Sequence, residues 1–451
     1  MMSRLRTLAL LLAALLFPVL LHAIPELRTR VYPADTPVVL RITARRGSDA
    51  GRFGKMVVEY IREDGGKNWE RLPATVKEGV LLVPVTLRGE GGHTLRVGTL
   101  DERGKFIPAG SFELYSLHPD LFRERPWRGD SHLLSRVSGG RQQPPRIAAL
   151  ARRAGFDFIA LTDRGRIEPS VTLAETVKQW RSGFTVLSGE SWSLAGGLVT
   201  VIAVGHDGEI APLPKGTPVV DASLDSDERA AAGAAAALAA EIRRRGGVAV
   251  FCHPAMRQND RFLTPTALRR YLILHGGFDA IEMLNARSGV AGVSRVAALC
   301  REASGREGAP RALLGVSGFS DVARVSFGRV NTVVFAPENG APAIIAALRR
   351  GRCVASLRIP GYSAFHGPSR LVDYALFLNR AYWPAHDRFC WKQGNALLGF
   401  IDGNSGLSST VEKCAAELEG FRREFWYGGD SAGGNVVPAV RGDAASTSSP
   451  R

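Results

Sequence analysis

Between residues 25 and 117 short apolar runs alternate with polar positions and are separated by Gly, Asp and Glu turns. Pro37–Ile42, Lys55–Tyr60, Val80–Val85, Thr94–Val97 and Ser111–Tyr115 each read as a strand. This spacing predicts a small antiparallel β-sandwich of Ig-like type over residues 25–118. Pro119–Arg128 reads as a linker. From Gly129 the pattern changes to buried-type strands at Phe158–Asp163, Phe184–Trp192, Leu198–Gly205, Val248–His253, Ala280–Asn285, Leu313–Ser317 and Thr332–Phe335. Helical periodicity lies between them at Arg146–Ala154, Glu228–Arg245 and Ala341–Arg350. Alternation of strand and helix predicts an α/β domain over 125–358 with parallel strands, as an open sheet or a barrel. Residues 359–427 read as a helical extension, clearest at Arg370–Leu378 and Val411–Phe425, and the Gly/Ser/Ala-rich stretch 428–451 reads as a disordered tail.

The first 23 residues change the picture of where the chain works. Arg4 and Arg6 precede an apolar run from Leu8 to Leu21, which ends in His22-Ala23. This is the layout of a secretory signal peptide, so the protein is expected to be exported, periplasmic or secreted. Leu21 makes the cleavage position imperfect, which leaves an uncleaved N-terminal anchor as the alternative. No membrane-spanning segment is read beyond this leader. The formal charge is +15, carried mostly by Arg spread along the whole length. No basic arm or nucleic-acid motif accompanies it, so a small anionic substrate or ligand suits the charge and a nucleic acid does not. Five widely spaced cysteines form no CxxC and no zinc-finger spacing; a bridge such as Cys390 with Cys414 is open.

Candidate chemistry collects at successive strand ends: Asp130-Ser131-His132, Asp163-Arg164, Gly189-Glu190, His253-Pro254 and Ser320-Asp321. In α/β folds of this kind, functional groups gather at the C-terminal ends of strands. Imidazoles and carboxylates brought together there suit Zn, Mn or Fe and metal-assisted hydrolysis. Taken singly, each has a structural role to hand: Asp163 as a helix cap, Glu190 as a paired carboxylate, His253-Pro254 as a turn. Among the remaining histidines, His93 and His275 read as surface or structural, and His366 and His386 as groups that could cap the mouth of a pocket.

In order, these segments resemble the PHP (polymerase and histidinol phosphatase) superfamily. Gly129-Asp130-Ser131-His132-Leu133-Leu134-Ser135 stands where that family has Gly-Asp-Leu-His-x-His-Ser. Gly155–Arg164 is similar to its GxDFxxxTDH motif, Ser188-Gly189-Glu190 to its GxE, and His253-Pro254 to its HP strand end. Ile281-Glu282-Met283-Leu284-Asn285 resembles IExxN, Phe319–Ala323 resembles GSDxH, and Ala347–Arg352 resembles ALRRGR. The resemblance implies a distorted (β/α)7 barrel and a metal-dependent hydrolase of phosphoesterase type. It also implies His132, Glu190, His253 and Asp321 as metal ligands, with Asp163 nearby and Asp130 supporting. Several family histidines are replaced: Leu134, Arg164 and Ala323 stand in their places, and His206 is an uncertain substitute for another. The retained groups suffice for one divalent metal rather than a cluster. Arg164 cannot ligate a metal but can grip an anion, or pair with Asp163 or Glu190 in an inactive site. The alternative function is a catalytically inactive PHP-like protein that binds a ligand, glycan or partner.

Overall fold

The computed structural model describes residues 24–428 except 46–49, 64–67, 259–260, 287–291, 306–311, 319–320 and 325. The leader and the tail beyond 428 lie outside the described residues. The described residues divide into two compact units, one of residues 24–116 with 419–428, the other Leu117–Leu418.

The smaller unit holds two sheets. One orders Pro25–Glu26, Pro37–Ala44, Val80–Thr86 and Thr75–Lys77; the other orders Val31–Pro33, Phe106–Leu117, Gly91–Leu100, Val57–Arg62 and Glu70–Leu72. Pro37–Ala44 alternates exposed and buried residues, as a strand with one face in water must. Val38, Leu40 and Ile42 of the first sheet and Val58, Leu95, Val97 and Leu114 of the second share one apolar core. His93 is fully buried there, its Nδ1 2.8 Å from the Tyr60 hydroxyl and its Nε2 2.6 Å from Ser116 Oγ.

The larger unit is mixed α/β. One sheet orders Thr185–Leu187, Phe158–Leu161, Arg125–Leu133, Val330–Ala336, Cys353–Ile359 and Tyr362–His366; a second orders Gly189–Leu194, Val199–Val204, Val248–Phe251, Ala280–Asn285 and Ala312–Val316. Runs such as Phe158–Leu161, Val248–Phe251 and Ala280–Asn285 are buried at every position because helices or strands cover both faces. The helix Ser226–Arg244 starts at a capping box in which Asp225 accepts from the Glu228 N–H and Glu228 accepts from the Asp225 N–H. The two sheets meet where Gly315 N donates to Thr332 Oγ1 at 3.0 Å, and where Arg164 bridges Ser191.

Strand direction is mixed rather than uniformly parallel. Gly189–Leu194 and Val199–Val204 are antiparallel, as are Val199–Val204 and Val248–Phe251. The four residues between Leu194 and Val199 cannot make the long crossover that a parallel neighbour requires. The expected linker is also partly a strand: Arg125–Leu133 pairs along its first half with Val330–Ala336. After residue 359 a hairpin strand, Tyr362–His366, precedes helices Ser369–Ala381, Trp383–Ile401 and Ser408–Phe425. Residues 359–418 belong to the same compact unit as the strands and helices before them. All five cysteines, Cys390 and Cys414 among them, are free thiols. Among the described residues no helix is long and apolar enough to cross a membrane.

Candidate metal centre

The strand Arg125–Leu133 delivers Asp130 and His132 to its C-terminal end. Asp130 is fully buried; its Oδ1 accepts from the His132 N–H and its Oδ2 from the Ser317 N–H, both at 3.0 Å. Burial raises its carboxyl to about 6 against the pull of these donors. Asp130 thereby ties the end of its own strand to the end of Ala312–Val316.

The His132 ring is held from another strand. Its Nδ1 lies 2.6 Å from Glu282 Oε1, and Glu282 Oε2 accepts from the His253 N–H at 2.8 Å and from Asn285 Nδ2 at 3.1 Å. Burial of Glu282 opposes its charge, but His132 and His253 outweigh that and hold the carboxyl at about 2. The His253 ring stacks beside that of His132, with centroids 5.9 Å apart and planes 25° apart. His253 itself sits at φ 33, a backbone conformation that a residue with a side chain adopts only when its surroundings impose it. Here the bond from its N–H to Glu282 supplies part of that constraint. Cys252 is buried, and one donor atom from each of His132, Cys252 and Glu282 lies within 4.8 Å of the others. Burial first, and then the Glu282 carboxylate, push the Cys252 thiol well above its ordinary value.

Glu282 and Asn285 were not among the site residues expected from the sequence, although both stand in the IExxN segment. Three residues apart, they would face opposite sides of a regular strand. A register shift between Glu282 and Leu284 against Ala312–Val316 puts both on one side. Only the motif resemblance could have pointed to them.

The other expected residues are placed differently. Glu190 is fully buried, its Oε1 accepting from the Ile210 N–H at 3.3 Å and lying 2.8 Å from His206 Nε2. Its Oε2 and His206 Nδ1 are buried with no hydrogen-bond partner among the described residues. Register places Glu190 level with Ala203 and Ala249, four residues before His253. Asp163 accepts from Ser135 N at 2.9 Å and from Ser135 Oγ at 2.6 Å, which fixes the turn after His132. The Arg164 side chain is exposed and pairs with neither Asp163 nor Glu190; its backbone N–H donates to Ser138 Oγ at 2.8 Å. Asp321 accepts from Gln142 Nε2 at 2.8 Å and pairs with Arg141 at 3.5 Å and Arg324 at 3.8 Å. Gln142 first, with these arginines, holds its carboxyl below the ordinary range. The structure thus brings His132 and His253 together, with Glu282 and Cys252, and engages Glu190 and Asp321 elsewhere.

A second grouping, Asp157, His386 and Cys390, also has ligand-type atoms at coordination spacing. Arg152 Nη1 lies 2.9 Å from Asp157 Oδ1, and both side chains are buried. A metal cation there would sit beside a guanidinium, so this grouping is read as a buried ion-pair network. His386 belongs to that network, and His366 lies in the hairpin strand Tyr362–His366.

No family model matches the chain, and no curated protein matches it. Among solved structures it is similar to a two-domain protein from Bacteroides vulgatus containing a predicted PHP-like metal-dependent phosphoesterase: 19% identity, TM-score 0.40, over 53% of this chain and 67% of that one. It is also similar to an amidohydrolase from Chromobacterium violaceum with bound sulfate and no metal, at 19% identity and TM-score 0.29, over 43% of this chain and 87% of that one. The filamin domain of Lin-41 is similar over 20% of this chain and 83% of that domain, at 16% identity and TM-score 0.16. TM-scores of this size mark partial likeness and say nothing of activity.

Proposed function

We propose that this chain is an exported PHP-type hydrolase, a distorted barrel preceded by an Ig-like sandwich, that works with one divalent metal ion on a small anionic phosphoester. The observation that carries this reading is the 2.6 Å contact between His132 Nδ1 and the buried Glu282 carboxylate, with the His253 ring alongside. A carboxylate bonded to one ring nitrogen fixes the tautomer and leaves the other nitrogen suited to a metal. His132 and His253 would hold the ion, with Cys252 the nearest soft donor. Glu190 keeps a buried Oε2 with no hydrogen-bond partner among the described residues. When bound, such an ion polarises a phosphoryl oxygen and acidifies water.

The chain's own residues do the positioning. Glu282 orients His132 and fixes the backbone of His253. Asp130 joins two strand ends, and Asp163 holds the turn that begins at Ser135. Arg164, exposed and without a side-chain partner among the described residues, is a guanidinium that would grip an incoming anion bidentately.

A second reading is favoured by a specific observation: Glu190 and Asp321 are engaged by His206 and by Gln142 with Arg141. On that reading the protein binds an anionic ligand or partner without turning it over. Metal content and hydrolysis of p-nitrophenyl phosphate, measured on wild type and His253→Ala, separate the two. Stoichiometric zinc or manganese and turnover, both lost in His253→Ala, support the hydrolase. Bound metal without turnover supports the binding protein, and wild type that takes up no metal contradicts the metal centre altogether.

A further inference from the structure

The larger unit has a cavity of about 430 Å³, lined on its polar side by Arg128, Arg329, Arg358, Asp387, Ser363 and Asn379. Its lining comes from the strands Arg125–Leu133, Cys353–Ile359 and Tyr362–His366, the helices Ser369–Ala381 and Trp383–Ile401, and the turn just before Val330–Ala336. Arg128 stands four residues before His132 on one strand, about 13 Å away along it, so this cavity is separate from the candidate metal centre.

The charges of this cavity do not balance. Arg128 is 1% exposed. Its Nε and Nη2 donate to Gly155 O at 2.9 and 2.7 Å, and Nη2 also pairs with Asp387. The guanidinium also lies over the Trp383 ring, 4.6 Å from its centroid. Gly155, at φ 89, is required under this guanidinium because a Cβ there would collide with Nη2. Arg358 shares the same carboxylate, 3.5 Å from Asp387 Oδ2. Burial first, and then the neighbouring Arg128 charge, lower Arg358 to about 10. Arg329 is exposed, and its guanidinium pairs with no carboxylate among the described residues. Three arginines therefore line the cavity with one carboxylate, Asp387, so its lining carries a surplus of two positive charges. Buried charge without a counter-charge is costly, and guanidinium forks match phosphate oxygens.

We propose that this cavity is a second, metal-independent binding site for a small phosphorylated molecule, its phosphoryl group held between Arg128, Arg329 and Arg358. Its volume lies in the range of about 300–1,000 Å³ typical of small-molecule sites. Carboxylates would meet the same forks, but a doubly charged phosphoryl group neutralises the surplus fully.

The test is calorimetric titration of inorganic phosphate into the full chain stripped of metal by a chelator. Arg329→Ala is the main variant, because Arg329 is exposed and its loss leaves the packing intact; His253→Ala serves as the control for the other site. Saturable binding of one phosphate is expected, weakened roughly tenfold or more in Arg329→Ala by loss of a charge-assisted contact, partly restored in Arg329→Lys and unchanged in His253→Ala. Absence of saturable binding in wild type, equal binding by Arg329→Ala, or loss of binding in His253→Ala overturns the proposal.

Discussion

Glu282→Gln tests the candidate metal centre at its organising residue. Three donors converge on the carboxylate: His132 Nδ1 on Oε1, and His253 N with Asn285 Nδ2 on Oε2. An amide has a single accepting oxygen. Placing that oxygen at the Oε2 position keeps two bonds and sets the amide NH2 against His132 Nδ1. The reverse placement confronts two donors with the NH2 and costs more. The imidazole must then present its Nδ1 lone pair and carry its proton on Nε2, which removes that nitrogen from metal ligation. Loss of a charge-assisted hydrogen bond costs about 1.5–3 kcal/mol. The low value of the Glu282 carboxyl, set against burial by His132 and His253, points in the same direction. Urea denaturation of metal-free protein should therefore show a loss of about 2–3 kcal/mol. Metal affinity should fall about 10–100-fold, the usual effect of removing such an orienting partner. Nitrogen-15 shifts of the histidine rings should report the exchanged tautomer. Wild-type stability together with an unchanged His132 tautomer would refute this reasoning.

Two further perturbations probe buried polar groups elsewhere in the larger unit. His206→Ala removes the side-chain partner of Glu190, which is fully buried, and should cost about 3–5 kcal/mol in denaturant unfolding; Glu190→Gln in the same chain should recover part of that loss. His386 faces Asp157 at 3.0 Å, Asp387 at 3.2 Å and Cys390, with Arg152 beyond Asp157. Burial of His386 works against its charge, but Asp157 and its other neighbours hold it protonated well above 6.5. The stability this contributes is fully present below pH 6.5 and is lost as pH rises through the raised folded-state value. The stability gap between wild type and His386→Gln should accordingly be widest below pH 6.5 and narrow on the alkaline side, and a gap independent of pH would contradict the assignment.

Strands buried on both faces were legible in the sequence because they are uninterrupted apolar runs: Ala280–Asn285 falls where it was expected, and Val248–Phe251 within two residues of its expected end. Helices Pro144–Arg153 and Ala341–Arg349 likewise follow their periodicity. The strand Arg125–Leu133 was hidden, since Arg125 and Arg128 break its apolar pattern. Arg128 is accommodated in the interior by Gly155, by the Trp383 ring and by Asp387, 259 residues away in sequence. Such a partner leaves no local signal. The site was legible in part for the same kind of reason. His132 and His253 sit at strand ends and announce themselves, whereas the pairing of Glu282 with Asn285 depends on a register shift that a period of two cannot foretell. Glu190 and Asp321 are expected ligand types whose partners, His206 and Gln142, are set by the folded chain.

The central claim is that His132 and His253 share one ion. X-ray absorption at the zinc edge of the loaded protein measures this directly. The account predicts a first shell containing two imidazole nitrogens at about 2.0 Å, with one imidazole lost in His253→Ala. A shell without imidazole scattering, or one indifferent to His253→Ala, would contradict it.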